Sequence, residues 1–141
     1  MKTFTLIMIT LLSLLGLAAC GGAPAAIPVE AISIDLASLP AVIDVQTAAA
    51  LQERDDVLLI DVREQWEYDE GHIPGITHIP MGEITNRLSE IPTDKTVVLT
   101  CRSGNRSGQV TDFLQQQGFE NVHNMNGGIV AWQGAGLPVE K

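Results

Sequence analysis

The residue most suited to covalent chemistry is Cys101, which lies in the polar segment TCRSGNRS at residues 100–107, at the end of an apolar run. Gly104 allows this segment to curl so that backbone N–H groups converge ahead of the next predicted helix. N–H groups at a helix N-terminus attract anions and lower the pKa of a thiol placed there. Arg102 and Arg106 contribute two of the chain's eight basic side chains. The segment predicts a reactive thiolate and a site for a small anion; the alternative is a buried, unreactive thiol.

The elements that position this segment follow an alternating pattern. Fully apolar runs are typical of strands buried on both faces of a parallel sheet, and amphipathic segments separate them. Sites in such sheets lie beyond the carboxyl ends of the strands, where Cys101 is found. The pattern predicts an α/β domain with a mostly parallel sheet. Strands are predicted at 41–43, 57–60, 96–100 and 121–124, and helices at 47–54, 83–91, 107–117 and 129–132. Residues 64–70 are predicted to form a short polar helix or a turn.

Composition limits the class of protein. The 141 residues include 17 acidic and 8 basic side chains, for a formal net charge of −9. Such a balance argues against nucleic acid as a partner, because phosphate recognition needs clustered basic residues. The chain is 45% apolar and 18% charged, which is typical of a folded protein. Two cysteines are too few for a small fold held together by disulfides.

The N-terminus differs from the rest of the chain. After Lys2, residues 4–19 carry no charge and are mostly apolar, but these sixteen residues fall short of the roughly 20 that span a bilayer. The sequence LAAC at 17–20 resembles the processing box of bacterial lipoproteins. That resemblance implies cleavage before Cys20, a diacylglyceryl group on its thiol and acylation of its new amino group. The alternatives are an ordinary secretory signal cut near Ala19 and an apolar core helix.

Three regions follow from this interpretation. Residues 1–19 are a lipoprotein signal peptide, residues 20–39 a proline-containing linker, and residues 40–139 the folded domain. Prolines keep the linker extended and prevent a helix. We therefore expect an extracytoplasmic protein that its lipid anchor holds on a bacterial membrane.

The predicted domain resembles the single-domain rhodaneses, which are sulfurtransferases. Four segments carry the resemblance, which covers about residues 40–139: LLIDVREQWEYDEGHIPG at 58–75, HIP at 78–80, CRSGNRS at 101–107 and NMNGGIVAW at 124–132. The resemblance implies a small α/β domain with a mostly parallel five-stranded sheet flanked by helices. A minor departure is Ile76, where the family more often has a small residue.

The resemblance also implies a mechanism. Cys101 would be the nucleophile and carry a persulfide, and the five residues after it would form the substrate cradle. The donor would be thiosulfate or a similar small anion, and the acceptor cyanide or a thiol on a small molecule or protein. No metal and no organic cofactor is expected. The cradle residues are Arg102, Ser103, Gly104, Asn105 and Arg106.

Other residues admit two interpretations each. Asp61 and Arg63 are expected to support the site, either electrostatically or as a structural ion pair. His72 and His78 could ligate a metal with a nearby acid, but no second cluster supplies ligands, so we expect none. The aromatic residues are expected to pack in the core or at its rim; they include Trp66, Tyr68 and Trp132.

Three alternative functions are open at the level of sequence. A cysteine phosphatase of related fold would place five residues between its cysteine and its arginine, whereas here Arg106 comes one residue early and Ser107 takes that position. A non-catalytic binding module would usually lack the cysteine. A persulfide relay to a dedicated partner would keep the chemistry but change the physiological role.

Overall fold

The computed structural model describes residues 33–141, and in that part of the chain five short strands alternate with helices. Three short 3₁₀ helices complete the element order, at Leu36–Ser38, Met81–Asn86 and Leu88–Glu90. The strands are β1 (Val42–Ile43), β2 (Val57–Asp61), β3 (Thr77–His78), β4 (Thr96–Thr100) and β5 (Val122–Met125). The α-helices are α1 (Val45–Leu51), α2 (Gln65–Glu70), α3 (Asn105–Gln116) and α4 (Gly128–Gly134).

The five strands form one sheet in the order β1-β5-β4-β2-β3, and every pairing within it is parallel. The central strands β2 and β4 pair along their whole length, with Leu59 opposite Val98. The predicted small, mostly parallel five-stranded sheet flanked by helices is confirmed. Because Cys101 directly follows β4, its thiol lies at the carboxyl edge in the middle of the sheet.

Each face of the sheet has its own hydrophobic cluster. Alternate residues of a strand point to opposite faces, so Val98 of β4 packs in one cluster, whereas Val97 and Leu99 pack in the other. The first cluster includes residues of α1 and α4, and the second includes residues of α3 and of the 3₁₀ segments after β3. Cys101 belongs to the second cluster. The nucleophile candidate therefore has its side chain within the core rather than on the surface.

Two elements of the structure differ from the prediction. The helix expected at 83–91 is two 3₁₀ helices interrupted at Arg87, whose φ of −119° is not helical. Its residues include Thr85 and Asn86, which form helices poorly, so the apolar spacing alone did not produce an α-helix. The strand β3 was not predicted because two residues give no measurable alternation.

The packed region begins earlier than the predicted domain. Ile34, Leu36 and Leu39 pack against the first core cluster, and the compact unit extends from Ile34 to Lys141. Part of the range that we predicted as linker, 20–39, therefore lies on the domain. The predicted signal peptide and Cys20 lie outside the described residues. Within residues 33–141, no helix has the length and apolar composition needed to cross a membrane.

Candidate active site

The loop after β4 bends sharply into α3. Gly104 caps this helix with a φ of +95°, a left-handed conformation that favours glycine. A Cβ at this position would lie 3.1 Å from the backbone nitrogen of Gly127, so the loop also needs glycine in order to pack closely. The helix begins at Asn105, two residues before the predicted start. The last cradle residues are therefore the first turn of α3, whose N–H groups have no carbonyl partner within the helix.

The Cys101 thiol lies against these donors and is only 1% exposed. Its Sγ accepts a hydrogen bond from the Gly104 N–H at 3.1 Å and lies 3.4 Å from the Ser107 hydroxyl. Burial is the largest single influence and raises the pKa of the thiol. Hydrogen bonds from the Ser107 hydroxyl and from the N–H groups of Ser103, Gly104 and Ser107 together lower the pKa below its usual value. The loop thus favours a thiolate.

A side chain of β5, that of Asn124, is hydrogen-bonded to the cysteine loop. Asn124 is buried, and its Nδ2 donates to the carbonyl oxygen of Gly104 at 3.0 Å. The Ser107 hydroxyl lies 2.6 Å from Oδ1 of the same amide. Both polar atoms of the Asn124 amide, Nδ2 and Oδ1, are therefore hydrogen-bonded to the loop that surrounds the sulfur.

The N-terminus of α4 holds the loop from a second side. The N–H groups of Ile129 and Val130 donate to the carbonyl oxygens of Cys101 and Arg102, at 2.8 and 3.2 Å. Gly128 makes this approach possible, because a Cβ there would overlap the Cys101 carbonyl oxygen and lie 2.6 Å from that of Arg102. Carbonyl groups thus face α4, while the loop's N–H groups face the sulfur.

The two arginines of the loop have different surroundings. Arg106 donates from both terminal nitrogens to the carboxylate of Glu67 on α2, at 2.7 Å each. These bonds lower the pKa of the buried Glu67 carboxyl and raise that of Arg106, so both groups stay charged. Arg102 is exposed, and among the described residues it is the one arginine without an ion pair. It borders a cleft of about 200 Å³ that Glu67 also lines.

The two predicted supporting residues form a buried ion pair. Arg63 donates to both carboxylate oxygens of Asp61, with its shortest contact at 2.6 Å. Its remaining terminal nitrogen hydrogens reach the carbonyl oxygens of Glu67 and Gly71, at 3.0 and 2.8 Å. The guanidinium thereby ties the end of β2 to the middle of α2 and to its C-terminal cap, which corresponds to the structural interpretation of the pair.

The histidines and aromatic residues have structural partners. Tyr68 is stacked between the rings of His72 and His78, with centroids 3.7 and 4.3 Å apart. Nε2 of His78 lies 2.7 Å from the carbonyl oxygen of Arg63, which requires it to donate. Residues 33–141 contain no group of three potential metal ligands. Trp132 is fully buried, as expected, but Trp66 is 61% exposed, so its predicted packing is wrong.

Comparison with known proteins agrees with this arrangement. Residues 44–135 match the family described as the rhodanese-like domain. The chain belongs to the rhodanese-like family. A sulfurtransferase from Allochromatium vinosum is 48% identical over 89 residues, which are 63% of this chain and 83% of the relative. A putative sulfurtransferase from Bacillus subtilis is 44% identical over 96 residues, covering 65% and 92%.

A solved structure extends the comparison to the fold. The rhodanese-related protein from Thermoplasma volcanium superposes with a TM-score of 0.63 at 32% identity. The superposition covers 72% of this chain and 98% of that one. The rhodanese-like fold expected from the sequence is confirmed.

Sequence reasoning missed several residues that shape this rhodanese-like site. Glu67, Asn124 and Gly128 lie within the segments that carried the resemblance, but no role followed for them from spacing alone. Ser107 was considered only as the residue that replaces a phosphatase arginine. A usable signal was present at Asn124, since an amide in the middle of the buried strand VHNM requires partners.

We predict that Gly128→Ala destabilises the domain by about 1–3 kcal/mol, because the added Cβ overlaps the backbone of the cysteine loop. Denaturant unfolding of the full chain would measure the change. The matched control is Gly134→Ala at the other end of α4, where a Cβ meets nothing within 4 Å. Equal stabilities for the two variants would show that the close approach at Gly128 has no energetic role.

Proposed function

We propose that this rhodanese-like protein is a sulfurtransferase that carries a sulfur atom on Cys101 as a persulfide. The observation that carries the proposal is the position of Sγ at the centre of the loop, where the Gly104 N–H lies 3.1 Å away. Donors so placed stabilise a thiolate, which is the nucleophilic form of cysteine. The names of the two sulfurtransferase relatives support the same class of reaction.

In the first half-reaction, the Cys101 thiolate attacks the outer sulfur of thiosulfate or a similar donor. A bond forms between Sγ and that sulfur as the donor's sulfur–sulfur bond breaks, and sulfite leaves with the electron pair. Cys101 then holds the transferred sulfur, which the N–H groups of the loop surround. The exposed guanidinium of Arg102 attracts the anionic donor.

In the second half-reaction, a thiolate or cyanide attacks the outer sulfur of the persulfide. The bond to Sγ breaks and its electron pair returns to Cys101 as a thiolate, while the acceptor leaves as a persulfide or as thiocyanate. The two half-reactions balance without an external oxidant or reductant. A dedicated protein thiol as acceptor would make the protein a persulfide relay with the same chemistry.

The loop fits phosphate poorly. Four residues separate Cys101 from Arg106, and the guanidinium of Arg106 is occupied by both carboxylate oxygens of Glu67. Ser107 stands where a cysteine phosphatase has its arginine. The loop therefore has no guanidinium at that position to donate two hydrogen bonds to a phosphate dianion. These features favour transfer of a single sulfur atom.

We predict that Cys101→Ser folds but transfers no sulfur, because a hydroxyl cannot form a persulfide. Mass spectrometry of the full chain after treatment with thiosulfate should show a gain of one sulfur atom on the Cys101 peptide of the wild type, and cyanide should remove it. Cys20→Ser is the control and should keep this gain. Substantial thiosulfate–cyanide turnover by Cys101→Ser would contradict the proposal, as would hydrolysis of an aryl phosphate that depends on Cys101.

We predict different effects for the two loop arginines. Arg102→Ala should lower kcat/KM for thiosulfate about fivefold at low salt, which corresponds to about 1 kcal/mol for one unit charge near 4 Å in water. The loss should shrink as salt screens the charge. Arg106→Ala should instead lower the free energy of unfolding by about 1–3 kcal/mol, because it leaves the buried Glu67 carboxylate without its partner.

Steady-state kinetics across a salt series and denaturant unfolding would separate these effects. Lys95→Ala, an exposed basic residue beyond the loop, serves as the charge control. Thiosulfate kinetics that are unchanged in Arg102→Ala would show that backbone N–H groups alone form the anion site.

We also infer that the domain acts outside the cytoplasm, held on a bacterial membrane by lipid on Cys20. The LAAC sequence at 17–20 supports this inference, together with an apolar run that is short for a bilayer. Two or more acyl chains give stable anchoring, which one chain does not.

We predict that Cys20→Ala moves the protein out of the membrane fraction of bacterial cells, because the thiol that receives the lipid is lost. Cell fractionation followed by immunoblotting would measure the distribution. Cys101→Ala is the matched control and should stay with the membrane. Equal partitioning of wild type and Cys20→Ala into the membrane would exclude the lipid anchor.

A further inference from the structure

The amide of Asn124 is buried in the interior strand β5, and among residues 33–141 its side-chain hydrogen bonds go only to the cysteine loop. β5 has strands on both sides, and Asn124 is 8% exposed. Nδ2 donates to the Gly104 carbonyl oxygen, and the opposite assignment would bring two acceptor oxygens together at 3.0 Å. Oδ1 therefore faces the Ser107 hydroxyl, 2.6 Å away, as an acceptor.

The neighbouring helix leaves room for this amide. Gly108 of α3 lies beside Asn124, and a Cβ at position 108 would come 3.2 Å from Nδ2. A glycine inside a helix is less stabilising than an alanine at the same position. Apart from proline, glycine is the residue that stabilises a helix least. Gly108 therefore occupies the position in α3 where a larger residue would crowd the Asn124 side chain.

The Ser107 hydroxyl has two possible acceptors but one hydrogen. Asn124 Oδ1 lies at 2.6 Å and Cys101 Sγ at 3.4 Å. A neutral sulfur is a weak acceptor, so the hydrogen lies toward the amide when Cys101 is a thiol or a persulfide. A thiolate accepts a charge-assisted hydrogen bond, which is about twice as strong as a neutral one.

We propose that Asn124 is a positioning residue of the sulfur site, which holds the Ser107 hydroxyl hydrogen while the Cys101 sulfur is neutral and releases it to the thiolate. This inference rests on the proposed function, in which Cys101 alternates between thiolate and persulfide. The hydroxyl rotates and keeps its proton; the proton lost from the thiol goes to solvent. Asn124 therefore stabilises the neutral states of the sulfur and competes for the hydrogen in the anionic state.

The charged groups near the sulfur belong to the loop itself, to α2 and α3, and to the end of β2. Arg106 on α3 has its charge close to Cys101 and is paired with Glu67 of α2. Arg102 lies in the loop itself, and the Asp61–Arg63 pair closes the end of β2. The substitutions that test the proposal leave all of these charges in place.

The test is a double-mutant cycle on the pKa of the Cys101 thiol. Asn124→Leu, which keeps the number of side-chain heavy atoms and the branch point, and Ser107→Ala are made singly and together. By itself, Ser107→Ala should raise the pKa, because the thiolate loses a donor. Asn124→Leu should lower the pKa by about 0.5–1 unit more when Ser107 is present than when it is absent, as expected for one net hydrogen bond. The lost contact to Gly104 is common to both backgrounds and cancels.

The pKa is measured from the pH dependence of iodoacetamide alkylation of the full chain, with the Cys101 peptide resolved by mass spectrometry. The matched control is Thr111→Val, which removes a buried hydroxyl that donates to the Ser107 carbonyl oxygen at 2.8 Å and should not alter the coupling. Equal shifts in both backgrounds would overturn the proposal, as would an unchanged or lower pKa in Ser107→Ala.

Folding and function are kept apart in this design. Asn124→Ala replaces the leucine variant if the latter does not fold, and the Ser107→Ala measurement needs no change at Asn124. No sulfur donor is present during alkylation, so the coupling is measured whether or not the protein transfers sulfur. Failure of the sulfurtransferase proposal would instead appear as the absence of a sulfur adduct on wild-type Cys101.

Discussion

The structure around the site depends on one constraint, which is that any thiolate formed on the almost completely buried Cys101 must be stabilised by the protein. Removing an anion from water is costly unless donors replace the lost hydration. Cys101 is only 1% exposed, and the donors around its sulfur are backbone N–H groups of the loop and of the first turn of α3, together with the Ser107 hydroxyl. The positions of backbone N–H groups depend on the conformation of the loop and not on the identity of its side chains. The loop itself must be held in shape, and the surrounding elements do so.

Three contacts hold that shape from different directions. β4 fixes the start of the loop, Asn124 of β5 binds the Gly104 carbonyl oxygen, and the N-terminus of α4 binds the carbonyl oxygens of Cys101 and Arg102. The contacts of Asn124 and of α4 take up the carbonyl groups of Cys101, Arg102 and Gly104. Because the carbonyl groups face outward, the N–H groups are left to face the sulfur. The glycine at 128 belongs to the same arrangement, since any side chain there would push α4 away from the loop.

The sequence predicted the parts of this arrangement that depend on local pattern. Apolar runs such as VVL at 97–99 predicted the central strands, and the position of Cys101 after such a run predicted its place at the sheet edge. The ion pair between Glu67 and Arg106 joins residues 39 positions apart, so it depends on how α2 and α3 approach in the folded chain. The same holds for Asn124 and Ser107. The local pattern also gave a wrong prediction at 83–91. The apolar residues there have helical spacing, but Thr85 and Asn86 form helices poorly, and the segment contains two 3₁₀ helices.

Burial of the inner sulfur has a chemical consequence under the proposed mechanism. A sulfur–sulfur bond is about 2.05 Å long, so the outer sulfur of a persulfide would lie that far beyond Sγ. The outcome of thiol exchange depends on which sulfur is attacked. A thiol acceptor that reached Sγ would form a mixed disulfide with the protein, whereas attack on the outer sulfur completes the transfer. Because the loop buries Sγ, this mechanism would require the acceptor to attack the outer sulfur rather than Sγ.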